Sequence, residues 1–278
     1  MQIAEHMLRT GRRGTLHEFS MALADLRASS QKVGLAWSLA WHDVVSRYRG
    51  SILGPFWITL SMALMVLGIG FIYSKLFHIA LDEFMPWVAI GIVFWGMISL
   101  TIIEGCDTFV AAKGMLSQTS LPMFTFVWRT ALRNLINLAH HTVIIVGVLI
   151  WYGYWRKANV PLAFVGLALT LLNVIWISFA VALASARFRD IPQIVGSVMQ
   201  FAIFLTPVFW LPGHGILAKH AVLVFNPFFH MLDVIRSPLM GRMPSGLSYA
   251  VLSTMAVVGW TATFSVFAVI RRRIVHYL

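Results

Sequence analysis

The sequence predicts an all-α integral membrane protein: six transmembrane helices preceded by an amphipathic interfacial helix, with short re-entrant outer helices between spans five and six. Three observations lead there. Six long stretches, Ile52–Ser74, Phe84–Ile103, Asn134–Trp155, Ala158–Ala186, Ile191–Ala218 and Met243–Ile270, contain no Asp, Glu, Lys or Arg. A hydrocarbon core roughly 30 Å thick needs about 20 apolar residues at ~1.5 Å per residue, so each stretch suffices for one crossing. The composition is 59% hydrophobic and 11% charged, with a mean hydropathy of +0.81, whereas about a quarter of the residues of a soluble domain are charged. Finally, the cations sort by side. With the N-terminus inside, Lys75, Arg156, Lys157, Lys219, Arg236 and Arg242 lie outside, and the other fifteen of the 21 Lys and Arg lie in inner segments. The positive-inside rule then puts both termini in the cytoplasm, as an even number of spans requires.

Residues 1–33 are polar and basic and lack the apolar core of a signal peptide, so they read as a cytoplasmic tail ahead of one six-span domain at 34–278. In Leu35–Tyr48, Trp37, Leu39, Trp41, Val44 and Val45 are interleaved with Ser38, His42, Asp43, Ser46 and Arg47, which suits a helix lying in the interface. Gly50 ends it before span one. The single Cys106 falls at the inner end of span two, where thiols stay reduced, and has no partner for an internal disulfide. Span three carries Asn134, Asn137, His140 and His141, which suit hydrogen bonds between helices, with a proton relay or haem ligation as the alternative. Between spans five and six, Leu211–Met243 is too long for a simple turn, and its apolar part, Ala221–Phe229, is too short to cross. Partly embedded outer helices fit, with Asp233 and Arg236 at i and i+3 positioned to pair on one of them.

Several function classes are disfavoured. The net charge of +11 is distributed as inner-face cations, so it points to membrane lipid and not to nucleic acid. No carboxylate lies within a span, whereas carriers driven by protons or sodium usually keep one near mid-membrane. Neither a Gly-x-Ser-x-Gly elbow, a His-Glu-x-x-His pair nor a phosphate-cradling Gly-x-x-x-x-Gly-Lys-Ser/Thr occurs, and no metal-ligating framework is seen. Catalysis by this chain alone is not expected, and energy for uphill transport must come from elsewhere.

Arg47-Tyr48-Arg49-Gly50-Ser51-Ile52-Leu53-Gly54-Pro55-Phe56-Trp57 resembles the start of the first span in membrane subunits of ABC-type polysaccharide exporters, the family that exports O-antigen, capsule and teichoic acid chains. Arg187-Phe188-Arg189-Asp190-Ile191, Thr206-Pro207-Val208, Asn226-Pro227 and the following Arg236 resemble that family's later signatures in the same order. The resemblance covers roughly residues 34–278.

It implies a homodimer of six-span permeases around a channel, with two separate ATPase subunits beneath that bind ATP and Mg, so that this chain needs no cofactor of its own. It also implies a coupling element in the inner loop Gly105–Pro122. There Phe109, Val110, Leu116 and Leu121 would form an apolar face, with Asp107 and Lys113 exposed. Family members often carry basic residues just before the proline, where this chain has Gln118, Thr119 and Ser120.

Aromatics crowd the ends of spans one, two and five: Phe56, Trp57, Tyr73, Trp87, Phe94, Trp95, Phe209 and Trp210. A flat apolar face with polar edges suits a pyranose, so these are the candidate channel wall. Arg47, Tyr48, Arg49, Arg187 and Arg189 are the candidate contacts for a lipid-pyrophosphate headgroup. The alternatives are a permease of the same architecture that exports a drug or small lipid, and a membrane enzyme that transports nothing.

Overall fold

The computed structural model describes residues 15–212 and 223–277, which form helices and connecting turns. The start of the tail (1–14), the end of the fifth predicted span (213–218) and Lys219 lie outside the described residues. The helices are α1 (Thr15–Gln31), α2 (Val33–Arg47), α3 (Phe56–Leu76), α4 (Leu81–Cys106), α5 (Lys113–Gln118), α6 (Phe124–Trp151), α7 (Val160–Arg187), α8 (Ile191–Leu205), α9 (Pro227–Leu239) and α10 (Gly246–Tyr277). Of these, α3, α4, α6, α7 and α10 are long and apolar enough to cross a bilayer. The protein is a multi-pass membrane protein.

A helix that is apolar on every side has to be surrounded, and α4 is. It packs against α3, α6, α7, α8 and α9 and buries Phe84, Val88, Ala89, Ile90, Val93 and Ile98 completely or nearly so. By contrast α3, equally apolar, buries only Ile58, Val66, Gly70 and Ser74 and leaves Leu64, Leu67, Phe71 and Ile72 facing outward. A second core lies at the end of the bundle where α4 runs into α5. There Phe179 meets Phe124 and Phe267 edge-on at 5.1 and 5.0 Å, with Phe109 beside them.

The interfacial helix forms where expected, as α2. Ala36, Ala40 and Val44, spaced one turn apart, are buried in the packing against α6, while Trp37 and Trp41 are about half exposed. The chain then reverses into α3 through two glycines in the left-handed region, Gly50 at φ +82° and Gly54 at φ +55°, a conformation that costs other residues roughly 1–2 kcal/mol. α1 lies against α10. Arg271 donates to the Met21 carbonyl (2.7 Å) and Arg272 pairs with Glu18 (3.3 Å). The Asp25 carboxylate accepts the Met123 and Phe124 amides, each at 3.1 Å, at the start of α6.

The fifth predicted span does not continue to Ala218 as one helix. α8 stops at Leu205 after 15 residues, about 22 Å of rise where a straight crossing needs about 30 Å. Pro207 supplies the reason, since it lacks an N–H and disfavours helical backbone at Thr206, which is extended at ψ 134°. The re-entrant region contains α9. Its start is fixed by Asn226, whose Oδ1 accepts the Phe228 and Phe229 amides at 2.9 and 3.3 Å, with Pro227 at the first helical position.

α9 is wedged between α4, α7 and α10. Thr170 donates to the Met231 carbonyl at 3.1 Å, and Gly166 lets the α9 backbone approach so closely that a Cβ there would collide with the Val234 carbonyl. His230 bridges Ser248 and the Val224 carbonyl, each at 2.9 Å. The Asp233–Arg236 pair does not form. Asp233 instead accepts from Ser237, Ser248 and the Ser245 amide.

Because the atom in the way at Gly166 is backbone, Gly166→Ala is expected to lower stability by roughly 1–3 kcal/mol through overpacking. Gly147 has open space around it, so Gly147→Ala should be neutral or gain up to about 1 kcal/mol from helix propensity. Melting of the two purified variants in detergent checks this, and equal melting temperatures would disprove the close contact.

Candidate functional site

Within a membrane region without charge, a stripe of polar side chains marks a place that is not simply lipid-facing. α8 has such a stripe. Gln193, Gly196, Ser197 and Gln200 share one face at helical spacing, and with Met199 and Ile203 they line a groove whose opposite wall is Trp95, Ser99 and Ile103 of α4. The groove holds about 430 Å³. Ser99 and Ser197 bond to carbonyls of their own helices, at 3.3 and 3.0 Å. The other flank of α8 is apolar. Val198, Phe201 and Leu205, with Phe225 and Phe228, border a cavity of about 500 Å³ that suits hydrocarbon.

The eight aromatics do not form one wall. Trp95 borders the groove and meets Phe228 edge-on at 5.4 Å. Phe94 is only 6% exposed and belongs to the core around α4. Phe56 and Trp57 face outward at the start of α3. Tyr73 lies 6.4 Å from Phe209. Trp87 and Trp210 are tied to backbone: the Trp87 indole donates to the Trp210 carbonyl (3.1 Å) and the Trp210 indole to the Phe204 carbonyl (3.2 Å).

At the end of the bundle that carries α2, some cations are held in ion pairs and others are exposed. Arg129 grips Asp43 with two hydrogen bonds of 2.7 and 2.6 Å, and Arg133 spans Asp43 (3.1 Å) and Glu104 (2.8 Å). Asn134 adds a 2.8 Å bond to Glu104. Three helices, α2, α4 and α6, are thereby joined by one ionic network. Arg47 touches it loosely, at 3.4 Å from Glu104, with its side chain 55% exposed. Arg49 is exposed and Tyr48 half-buried. Arg187 lies over the rings of Phe188 and Tyr277, and Arg189 is exposed beside it.

In the loop proposed to couple, Phe109 and Leu116 point into the chain's own core at 0% and 8% exposure. Val110, expected on the same apolar face, is instead exposed, as are Asp107, Ala111, Lys113, Gly114 and Ser117–Ser120. The histidines of α6 are dispersed in role. His140 bonds the Ile136 carbonyl of its own helix at 2.8 Å, and His141 is buried.

Burial alone would raise the pKa of the Asp43 carboxyl, but the hydrogen bonds and charges of Arg129 and Arg133 outweigh it and hold the group below its ordinary value. The stabilisation is therefore complete above the usual carboxylate pKa of about 3.9 and is lost as pH falls through the lower folded value. Asp43→Asn leaves two guanidiniums facing each other and should cost roughly 1–3 kcal/mol near neutral pH. Melting temperatures measured from neutral pH down to about pH 3 should show the variant with a shallower acid loss than the wild type. Identical curves would refute the network.

The profile of the ABC-2 type transporter family matches residues 34–240, from the first turn of α2 to the end of α9. Over 250 residues, spanning 87% of this chain and 94% of the other, the sequence is 24% identical to the O-antigen export system permease protein RfbA of Myxococcus xanthus. An interfacial helix leading into apolar spans, with a polar groove between one of them and the shorter α8, is thus found in a chain three-quarters of which matches one transporter family. The protein belongs to the ABC-2 type transporter family as an integral membrane permease.

Proposed function

We propose that this chain is the permease subunit of an exporter that moves a lipid-linked, O-antigen-like polysaccharide across the inner (cytoplasmic) membrane. It works as a homodimer with two copies of an ATPase subunit, and these bind ATP and Mg and hydrolyse the nucleotide. Both termini and the α2 end face the cytoplasm, in keeping with the distribution of Lys and Arg.

The observation that carries the reading is the α4–α8 groove. Gln193, Ser197, Gln200 and Ser99 offer hydrogen-bonding groups without charge, and Trp95, itself largely buried, borders them with an apolar edge. A pyranose presents hydroxyl edges and apolar faces, so the groove matches its chemistry, whereas a drug site would be apolar and closed. Similarity to a permease named for O-antigen export points the same way. No carboxylate is among the residues that line the groove, in keeping with energy supplied by the ATPase partner.

The remaining parts fall into place around it. Arg47 and Arg49, exposed where α2 meets α3, and Arg187 and Arg189, where α7 meets α8, receive the pyrophosphate of the lipid carrier. α5 transmits the stroke: Phe109 and Leu116 anchor its segment within the permease, and Val110 and Lys113 present the outer surface to the ATPase.

Ser197→Leu combined with Gln200→Leu replaces the polar stripe while keeping the helix. Losing two hydrogen-bonding positions at about 1 kcal/mol each should lower surface glycan export by at least roughly tenfold. The ATPase, a soluble partner with a phosphate-binding loop, should still copurify with the tagged variant from gently solubilised membranes. Undiminished export removes the groove from the pathway, and a wild-type chain that brings down no nucleotide-binding partner removes the exporter reading.

A further inference from the structure

An arginine within a membrane domain is costly unless its charge is used. Arg236 of α9 is 2% exposed and makes no ion pair among the described residues, since the Asp233 carboxylate is engaged by Ser237, Ser245 and Ser248. Its Nη1 donates to the Pro207 carbonyl at 2.7 Å. The guanidinium carbon lies 3.9 Å from the centre of the Trp87 ring. Among the described residues, Nε and Nη2 have no hydrogen-bond partner. Gly91 of α4 makes the room: a Cβ there would collide with Nη2 and come within 3.0 Å of the Val208 carbonyl oxygen.

This arrangement does not suit a static rivet. A guanidinium has five N–H donors, and a permanent structural arginine at this depth would have them satisfied. Here one charge-assisted hydrogen bond and one cation–π contact hold it, a restraint small enough to reverse. Both engage the segment that follows α8, directly through Pro207 and indirectly through Trp87, whose indole N–H holds the Trp210 carbonyl. That segment continues the chain beyond Leu205 at the level of Trp87 and Gly91, at the other end of α4 from Glu104 and the α2 network.

We propose that Arg236 is a positioning residue that latches the far end of the conduit: its guanidinium holds the Thr206–Trp210 segment against α4, and polymer passage requires the Pro207 carbonyl to leave it. The inference rests on the groove being the conduit. While the latch is shut the path is sealed without nucleotide; when the segment swings away, the unused Nε and Nη2 donors can take up sugar hydroxyls in place of the lost carbonyl.

The test uses the full chain with its ATPase partner in liposomes loaded with 6-carboxyfluorescein, without ATP. Gly91→Ala is the incisive variant, because alanine favours the α4 helix while its methyl displaces the guanidinium. Arg236→Met removes the latch outright, and Gly147→Ala is the control. Losing a charge-assisted hydrogen bond should raise dye efflux at least about tenfold in the first two variants and leave the control tight. A purely structural Arg236 would instead lower melting temperature and yield without opening a leak.

Variants that assemble and stay as tight as the wild type overturn the latch. Should both variants fail to assemble, hydrogen exchange of the wild-type complex decides: the Val208 and Phe209 amides must exchange faster during ATP turnover, and unchanged rates overturn the proposal. Surface glycan in cells lacking this chain separates the two readings. A wild-type copy that restores none overturns the conduit, and the latch with it. One that restores glycan while the variants remain tight overturns the latch alone.

Discussion

Where a helix stops inside a membrane, the carbonyls it releases must find donors, because hydrocarbon offers none. α8 stops at Leu205, and four carbonyls at and just beyond its end are answered from different places. The Trp210 indole serves Phe204, Asn226 serves Leu205, the Val208 amide serves Thr206, and Arg236 serves Pro207. An unsatisfied buried carbonyl is costly in this setting; three of the four are met without Arg236, and only the Pro207 carbonyl depends on its guanidinium. α9 therefore cannot be removed or shifted without exposing the end of α8. The packing of Gly166 on Val234 and the bonds of His230 and Asp233 to α10 follow as the means of fixing α9 itself.

The opposite end is organised by charge. Asp43, Arg129, Arg133 and Glu104 are each less than about a quarter exposed and satisfy one another across α2, α4 and α6. Such a network fixes relative position more than it adds stability, since desolvation offsets much of the attraction. α4 connects both ends. It carries Glu104 into the ionic network, Ser99 and Trp95 into the groove, and Gly91 and Trp87 against Arg236. A movement passed to α4 from α5 would be felt at all three levels along one rigid helix.

The apolar helices were legible because freedom from charge over some 20 residues has few other meanings. Thr206-Pro207 was visible too, but hydropathy continues smoothly past it, and only the backbone reveals that the helix ends there. Phe94 and Trp95 are equally buried, at 6% exposure, and only Trp95 borders the groove, because an apolar sequence does not encode which side of α4 meets α8. The groove did leave a signal: Gln193, Ser197 and Gln200 stand at i, i+4 and i+7 in a stretch otherwise almost free of polar groups. Asp233 and Arg236 illustrate the converse, an ideal spacing whose partners lie on other elements.

The central claim is that one face of α8 meets water and sugar while the rest meets protein or lipid. Cys106 is the chain's single cysteine, so single-cysteine variants along α8 in a Cys106→Ser background can be treated in native membranes, during turnover, with a membrane-impermeant maleimide. Cysteines at Gln193, Ser197 and Gln200 are predicted to react, and those at Ile194 and Val198 to stay protected. Equal protection all around the helix, or labelling of the Ile194 and Val198 face in place of the groove, would contradict the account.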